Sequence, residues 1–286
     1  MGANLRVIRR KIKTVGNIWQ ITRAMQMVAA SKLKRVQPRV ESSREYLRRL
    51  AEITADVASR VPAELHPYLQ ERPVRNVGLL LVAGDKGLAG SHNANIFRLA
   101  EQYMAEAQVP VTLLTVGARA TEFARRRGWN DVFSVAAPST GESRDAVQMA
   151  RTARGLFDGG SIDGLDMLYT QFISPLRRPA TLTQLLPIVG SETAEGAGGE
   201  YIFEPPAEEL LGSLLPRTVE AQIINMMLQS VAAEHAARMT AMSAATENAA
   251  ELRQNLVRDL NRARQAGITT ELLEVVGGAD ALAHGD

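Results

Sequence analysis

Between a short apolar run, Val77 to Ala83, and a stretch of helical pattern ending at Ala107 lies Gly84-Asp85-Lys86-Gly87-Leu88-Ala89-Gly90-Ser91. Glycines and a lysine at a strand-to-helix junction are the materials of a phosphate cradle, in which backbone N–H groups and a helix N-terminus hold the anion. The spacing completes neither nucleotide signature. A P-loop needs its lysine followed by serine or threonine after the last glycine, and the dinucleotide fingerprint is G-x-G-x-x-G, whereas this loop reads G-x-x-G-x-x-G. The second apolar run ends in Thr115-Val116-Gly117, without the acidic residue that would hold a ribose. Glycines that permit a tight turn and close helix–sheet packing account for the segment better.

The other chemistry-bearing residues are dispersed. The four histidines, His66, His92, His235 and His284, fall in different elements, and none has a second ligand at metal spacing. No G-x-S-x-G elbow is present for a serine nucleophile. The chain has no cysteine, which excludes disulfides, thiolate chemistry and cysteine–zinc sites. No cofactor or metal site is expected.

What the sequence does specify is a pair of long helices. Counting alternately by three and four from Leu5 gives Leu5, Ile8, Ile12, Val15, Trp19, Thr22, Gln26, Ala29, Leu33, Val36, Val40, Ser43, Leu47, Leu50, Thr54 and Val57, of which twelve of sixteen are apolar. This is the 3.5-residue period of a coiled coil. At the other end, Ser213 to Ala266 holds no glycine and one proline, Pro216, placed where a first helical turn tolerates it. At about 1.5 Å per residue the two helices would reach roughly 80 and 90 Å, too long to bury themselves, so each must wrap the other or enter something external. Pro38 removes a backbone hydrogen bond and predicts a kink or break near Gln37.

Pro62, Pro67 and Pro73 close the first helix, and the pattern then alternates. Strands are predicted at Val77–Ala83, Val111–Val116, Asp131–Val135, Leu165–Phe172 and Thr181–Val189. Helices are predicted at Ser91–Ala107, Ala118–Arg127 and Glu142–Asp158. Such alternation implies a mostly parallel sheet covered by helices, with the last two strands suited to an antiparallel pair at an edge. Gly190 to Gly199 reads as a surface loop. The expected architecture is α/β: a long antiparallel coiled coil of N- and C-terminal helices (1–60 and 210–286) with a Rossmann-like domain (74–205) inserted between them.

Charge is distributed unevenly. Residues 1 to 40 contain ten basic side chains and no acidic one, against a net charge of +2 for the whole chain, so the rest sums to −8. A cationic arm of this kind seeks acidic partners, whether protein carboxylates, phospholipid or nucleic acid. Ala221 to Ala250 is the converse: ten of thirty residues are alanine, joined by Met226, Met227, Met239 and Met242, with only Glu234, Arg238 and Glu247 charged. A slim rod of small and soft side chains suits either a coiled-coil seam or a close-fitting sleeve. No run of 18 apolar residues and no secretory signal pattern is present, making a cytosolic location the default expectation.

Both ends carry specific blocks. Ile21-Thr22-Arg23-Ala24-Met25-Gln26-Met27-Val28-Ala29-Ala30-Ser31-Lys32-Leu33 closely resembles the signature of the gamma subunit of F-type ATP synthases. So do Glu234-His235-Ala236-Ala237-Arg238-Met239-Thr240-Ala241-Met242 and Asn261-Arg262-Ala263-Arg264-Gln265-Ala266-Gly267-Ile268-Thr269-Thr270-Glu271-Leu272. Asp85-Lys86-Gly87-Leu88-Ala89-Gly90 and Gln184-Leu185-Leu186-Pro187 also match family segments, with Ala89 standing where the family commonly has cysteine.

The resemblance implies a non-catalytic central shaft without a cofactor of its own. Its paired helices would stand inside a hexamer of alpha and beta subunits, its α/β domain beside the epsilon subunit and the c-ring, and the complex at the cytoplasmic face of the cell membrane. It further implies that Met25 lies beside acidic lever loops of the catalytic subunits. Lys32, Arg238, Gln265, Thr269 and Glu271 would then make polar contacts to those subunits or between the two helices. The residue pattern alone leaves a second reading, a nucleic-acid-binding coiled coil using the basic arm, whose affinity would fall steeply with salt.

Overall fold

The structure is a computed structural model, and it describes residues 2–58, 66–70, 72–138, 144–188 and 205–283. The Gly190–Gly199 segment, Val189 and the start predicted at Glu142 lie outside the described residues. In chain order the elements are α1 (Gly2–Ala58), β1 (Val77–Val82), α2 (His92–Glu106), β2 (Val111–Val116), α3 (Ala118–Arg126), β3 (Asp131–Val135), α4 (Arg144–Asp158), β4 (Gly164–Thr170), β5 (Ala180–Leu186) and α5 (Ala207–Ala283). The chain divides into two compact units. One comprises residues 1–28 and 241–286, the other residues 29–240.

In the larger unit the strands form one sheet in the order β3-β2-β1-β4-β5. β1, β2, β3 and β4 run parallel, and β5 returns antiparallel beside β4, as its sequence suggested. Strand alternation sends successive side chains to opposite faces. Leu80, Val82, Leu114, Val116, Met167 and Tyr169 meet α4 and α5 through Met149, Ala153, Phe157, Leu215, Val219 and Ile223. On the opposite face, Leu79, Leu81, Leu113 and Leu168 meet Ile96 and Ala100 of α2 and Ala120 and Ala124 of α3. Here the small residues are functional in packing terms, because alanine at a contact lets a helix approach the sheet closely.

The same unit holds part of the helix pair. Leu33, Val36 and Val40 of α1 pack with Leu228, Val231, Ala232 and Ala236 of α5, capped by Phe172. Val57 packs farther back along α5, in the cluster containing Leu211 and Leu215. One helix therefore ascends as the other descends. In the smaller unit the antiparallel pairing is polar as well as apolar: Thr246 Oγ1 donates to Thr22 Oγ1 at 2.8 Å, and Gln26 Nε2 donates to Ser243 Oγ at 3.3 Å. All sixteen heptad positions from Leu5 to Val57 are buried or half-buried.

Two expectations about proline require correction. Of the kink or break expected near Gln37, the break does not occur: α1 is continuous through Pro38. Val36 and Val40, at 0% and 1% exposure, clamp the helix on both sides of the proline, and Lys34, whose carbonyl loses its helical donor, is exposed so that water can supply one. Pro38→Ala is accordingly expected to stabilise the chain by up to about 3 kcal/mol, the scale of a helix-interior proline, read as a higher urea midpoint. Pro216, for its part, is not in a first turn. α5 begins at Ala207 with Glu208 and Glu209 opposite the helix dipole, and Leu210 N–H donates to Pro206 O. Pro206, and not Pro216, marks the start; Gly212 is carried inside the helix.

Candidate functional site

In the larger unit the glycine loop Gly84–Gly90 meets α5, and several of its polar groups are engaged within the protein. Gly84 N–H donates to Asn93 Oδ1 at 3.1 Å, and Gly84 O accepts from Arg119 N–H at 3.2 Å. Asp85 Oδ1 accepts from the N–H groups of Ala118 (2.8 Å) and Ala137 (3.1 Å). A carboxylate of the protein itself thus occupies the amide end of α3, where a phosphate would otherwise be held. In a doubly wound sheet a nucleotide would sit at the switch point, here beside β1 where the chain crosses from β2 and β3 to β4. That place is taken by Glu234 of α5: a Cβ built on Gly84 would lie 2.7 Å from Glu234 Cδ. Gly84 is glycine because a carboxylate packs on it.

Arg238, one turn farther along α5, completes the contact. Its Nη2 reaches Gly87 O and Lys86 O, each at 3.3 Å, and Glu234 Oε1 at 2.5 Å. The two side chains are only 11% and 10% exposed. Burial raises the Glu234 carboxyl above the usual range and Asp85 adds to this, while Arg238 and Lys32 act against it. His92 and His235 are buried beside this cluster, His235 Nδ1 lying 3.4 Å from Arg238 Nη1. Burial, with Arg178, Arg238 and His235 nearby, lowers His92 to about 4. Among the described residues no group of histidine and acidic side chains has the arrangement of a metal site.

In the smaller unit the site is a surface. Ile18, Ile21 and Val28 form a second apolar row on α1 that faces away from the seam at 46%, 58% and 57% exposure, with half-buried Met25 in the same row. On α5, Ile268, Leu272, Leu273, Val275 and Val276 are all more than half exposed. Basic side chains Arg6, Arg9, Arg10, Lys11, Lys13 and Arg23 are exposed on the same stretch of α1. Arg23 also lies over the Trp19 ring at 5.0 Å. Exposed apolar groups in this number mark a surface that another macromolecule covers.

The six residues singled out in the sequence therefore fall in two places. Lys32 and Arg238 belong to the buried polar cluster of the larger unit. Met25, Gln265, Thr269 and Glu271 lie in the smaller unit, the last three exposed on α5, where Thr269 Oγ1 donates to Gln265 O at 3.0 Å. Gly84 and His92 were considered in the sequence only for phosphate and metal chemistry, and Glu234 was not singled out. Glu234 and Arg238, acid and base four apart on an alanine-rich helix, were the available signal. No helix among the described residues is long and apolar enough to cross a membrane.

Comparison with known proteins places this geometry in context. A family model described as ATP synthase matches residues 4–282. The ATP synthase gamma chain of Desulfitobacterium hafniense is 42% identical over 284 residues, covering 98% of this chain and 99% of that protein. The ATP synthase gamma chain of Dehalococcoides mccartyi strain CBDB1 is 41% identical, covering 98% and 100%. A chain in the structure of the Euglena gracilis mitochondrial ATP synthase (OSCP, F1 and c-ring, rotational state 3) shares the fold. The TM-score is 0.75 at 18% identity, covering 100% of this chain and 96% of that one.

Proposed function

The chain belongs to the ATP synthase gamma chain family, and on that premise we propose that it is the central rotor shaft of an F-type ATP synthase, a subunit that couples ion flow to ATP synthesis without performing bond chemistry itself. Its partners in this reading are the alpha and beta subunits of a catalytic hexamer, the epsilon subunit and the c-ring. Its place is the cytoplasmic face of the membrane, held there only through the complex.

The observation that carries the reading is the exposed apolar surface of the helices in residues 1–28 and 241–286. On α1 one face is satisfied by the seam and the other exposes Ile18, Ile21 and Val28, while residues 271–276 of α5 are exposed all round, Leu272, Leu273 and Val276 among them, with exposed arginines and lysines nearby. Apolar and cationic groups together suit a protein sleeve with acidic contacts. A nucleic-acid partner would need the cations but would leave the apolar row exposed. Asp85 at the amide end of α3 and Glu234 packed on Gly84 support a shaft without its own nucleotide site.

Native co-purification tests the proposal. One copy of this chain is expected with three copies each of two larger subunits, and adding it back to a hexamer lacking it is expected to restore coupled activity. The purified chain alone is expected neither to hydrolyse nor tightly bind ATP. A fully active, coupled enzyme assembled without the chain would refute it.

A further inference from the structure

We propose that Glu234 and Arg238, seated on the Gly84–Gly87 loop, are the positioning residues that lock α5 in angle against the α/β domain, so that torque passes between them through this contact. The inference rests on the rotor reading, and it assigns Arg238 an action inside the shaft, not on a neighbouring subunit.

The need for a lock follows from the helix itself. Next to Glu234 and Arg238 the buried apolar side chains of α5 are small, Ala232, Ala233, Ala236 and Ala237, and the larger Leu228 and Val231 lie earlier along the helix. Alanine offers close approach but little ridge to engage a groove, so an apolar contact of this kind resists rotation weakly. Directional bonds supply what the seam lacks. The Arg238 guanidinium donates to two loop carbonyls and to Glu234 at once, and a planar fork held at several points fixes orientation as well as distance.

The loop can receive torque because it is itself pinned. Gly84 is tied to α2 through Asn93 and to α3 through Arg119, and Asp85 is tied to both Ala118 and Ala137. Glu234 fills the space that a side chain at 84 would need. Lys32 of α1 draws on the same carboxylate, bringing all three elements into one charged cluster. Because the pair is largely withdrawn from water, loss of one member leaves the other without adequate compensation.

A covalent substitute for the lock distinguishes it from a contact with another subunit. The native chain has no cysteine, and Glu234 Cδ is two bonds beyond that residue's Cβ. The 2.7 Å approach therefore puts the Cβ atoms of 84 and 234 within roughly 5 Å, close enough for a disulfide after slight adjustment. The complete complex in vesicles is assayed for ATP hydrolysis and ATP-driven ion pumping with the parent chain, with Arg238→Ala, and with Arg238→Ala combined with Gly84→Cys and Glu234→Cys.

Ions pumped per ATP hydrolysed are expected to fall about threefold or more in Arg238→Ala, as loss of a buried charged contact implies. Oxidation of the triple variant is expected to form the disulfide and restore the ratio to near the parent value, and reduction to remove it again. An unchanged ratio in Arg238→Ala, a disulfide that does not form, or a formed disulfide that does not restore the ratio would each overturn the lock. A parent complex that fails to couple at all would instead overturn the rotor reading.

Discussion

Gly117→Ala is expected to destabilise the α/β domain by at least about 4 kcal/mol, the range reserved for strain with no route to relaxation. Gly117 ends β2 with φ at +93°, and a Cβ there would lie 2.1 Å from Ala83 O and 2.9 Å from Ala83 C. Neither side can yield. Gly117 N–H donates to Val135 O at 2.8 Å, Gly117 O accepts from Ala120 and Thr121, and Ala83 N–H donates to Val116 O at 2.9 Å. The methyl group would have to part β1 from β2 at the edge of the Gly84 loop. Gly128→Ala is the control: its φ is +72° but nothing lies within 4 Å of an added Cβ, so it carries backbone strain alone and should cost about 1 kcal/mol. Urea unfolding of the full chain reads both; equal midpoints for the two variants would show that the collision is absorbed.

Gly117 also shows how far the sequence can be read. Its place after a strand was evident from the apolar run Val111 to Val116. That its α-hydrogen faces the backbone of Ala83 was not, because the parallel pairing of β1 with β2 is a tertiary fact. The elements themselves were legible wherever periodicity was strong: β2 and β3 have their predicted bounds, and the heptad positions of α1 all turn inward. Pattern gave way where two signals competed. At Pro38 the local cost of a proline was weighed without the clamp of Val36 and Val40. At Pro216 the proline was matched to a first helical turn, although Pro206 followed by Ala207-Glu208-Glu209 is the better start signal.

The functional residues divide along the same line. An exposed apolar row can be counted from the sequence, since Ile18, Ile21, Met25 and Val28 are in helical register beside the heptad. The partners of the polar heptad positions cannot. Thr22 and Gln26 are polar positions in an apolar seam, and Thr246 and Ser243 answer them; polar pairs of this kind fix register at modest energetic gain. Likewise Glu234 and Arg238 were visible as a helical pair, but their seat on Gly84 and Gly87 joins segments some 150 residues apart.

His92 supplies a pH dependence with a definite sign. It opens α2, is 6% exposed, and is surrounded by Arg178, Arg238 and His235; the helix amide end adds further positive potential. Burial first, then these cations, lower its pKa from 6.5 to about 4. The unfolded chain therefore takes up a proton below pH 6.5 that the folded chain refuses. The stability tied to neutral His92 is fully present above 6.5 and is lost as pH falls through about 4, amounting to about 3 kcal/mol for a shift of this size. Glu234 acts in the opposite sense. Its raised pKa contributes stability present below the ordinary carboxylate value and lost as pH rises through the folded one. Between pH 7 and 4 the parent chain is thus expected to lose about 3 kcal/mol more than His92→Gln, and Glu234→Gln is expected to lose more on acidification than the parent. Urea midpoints across that range measure both. A His92→Gln profile parallel to the parent would mean that the folded protein accepts the proton after all, and that the cationic cluster around α5 is open to water.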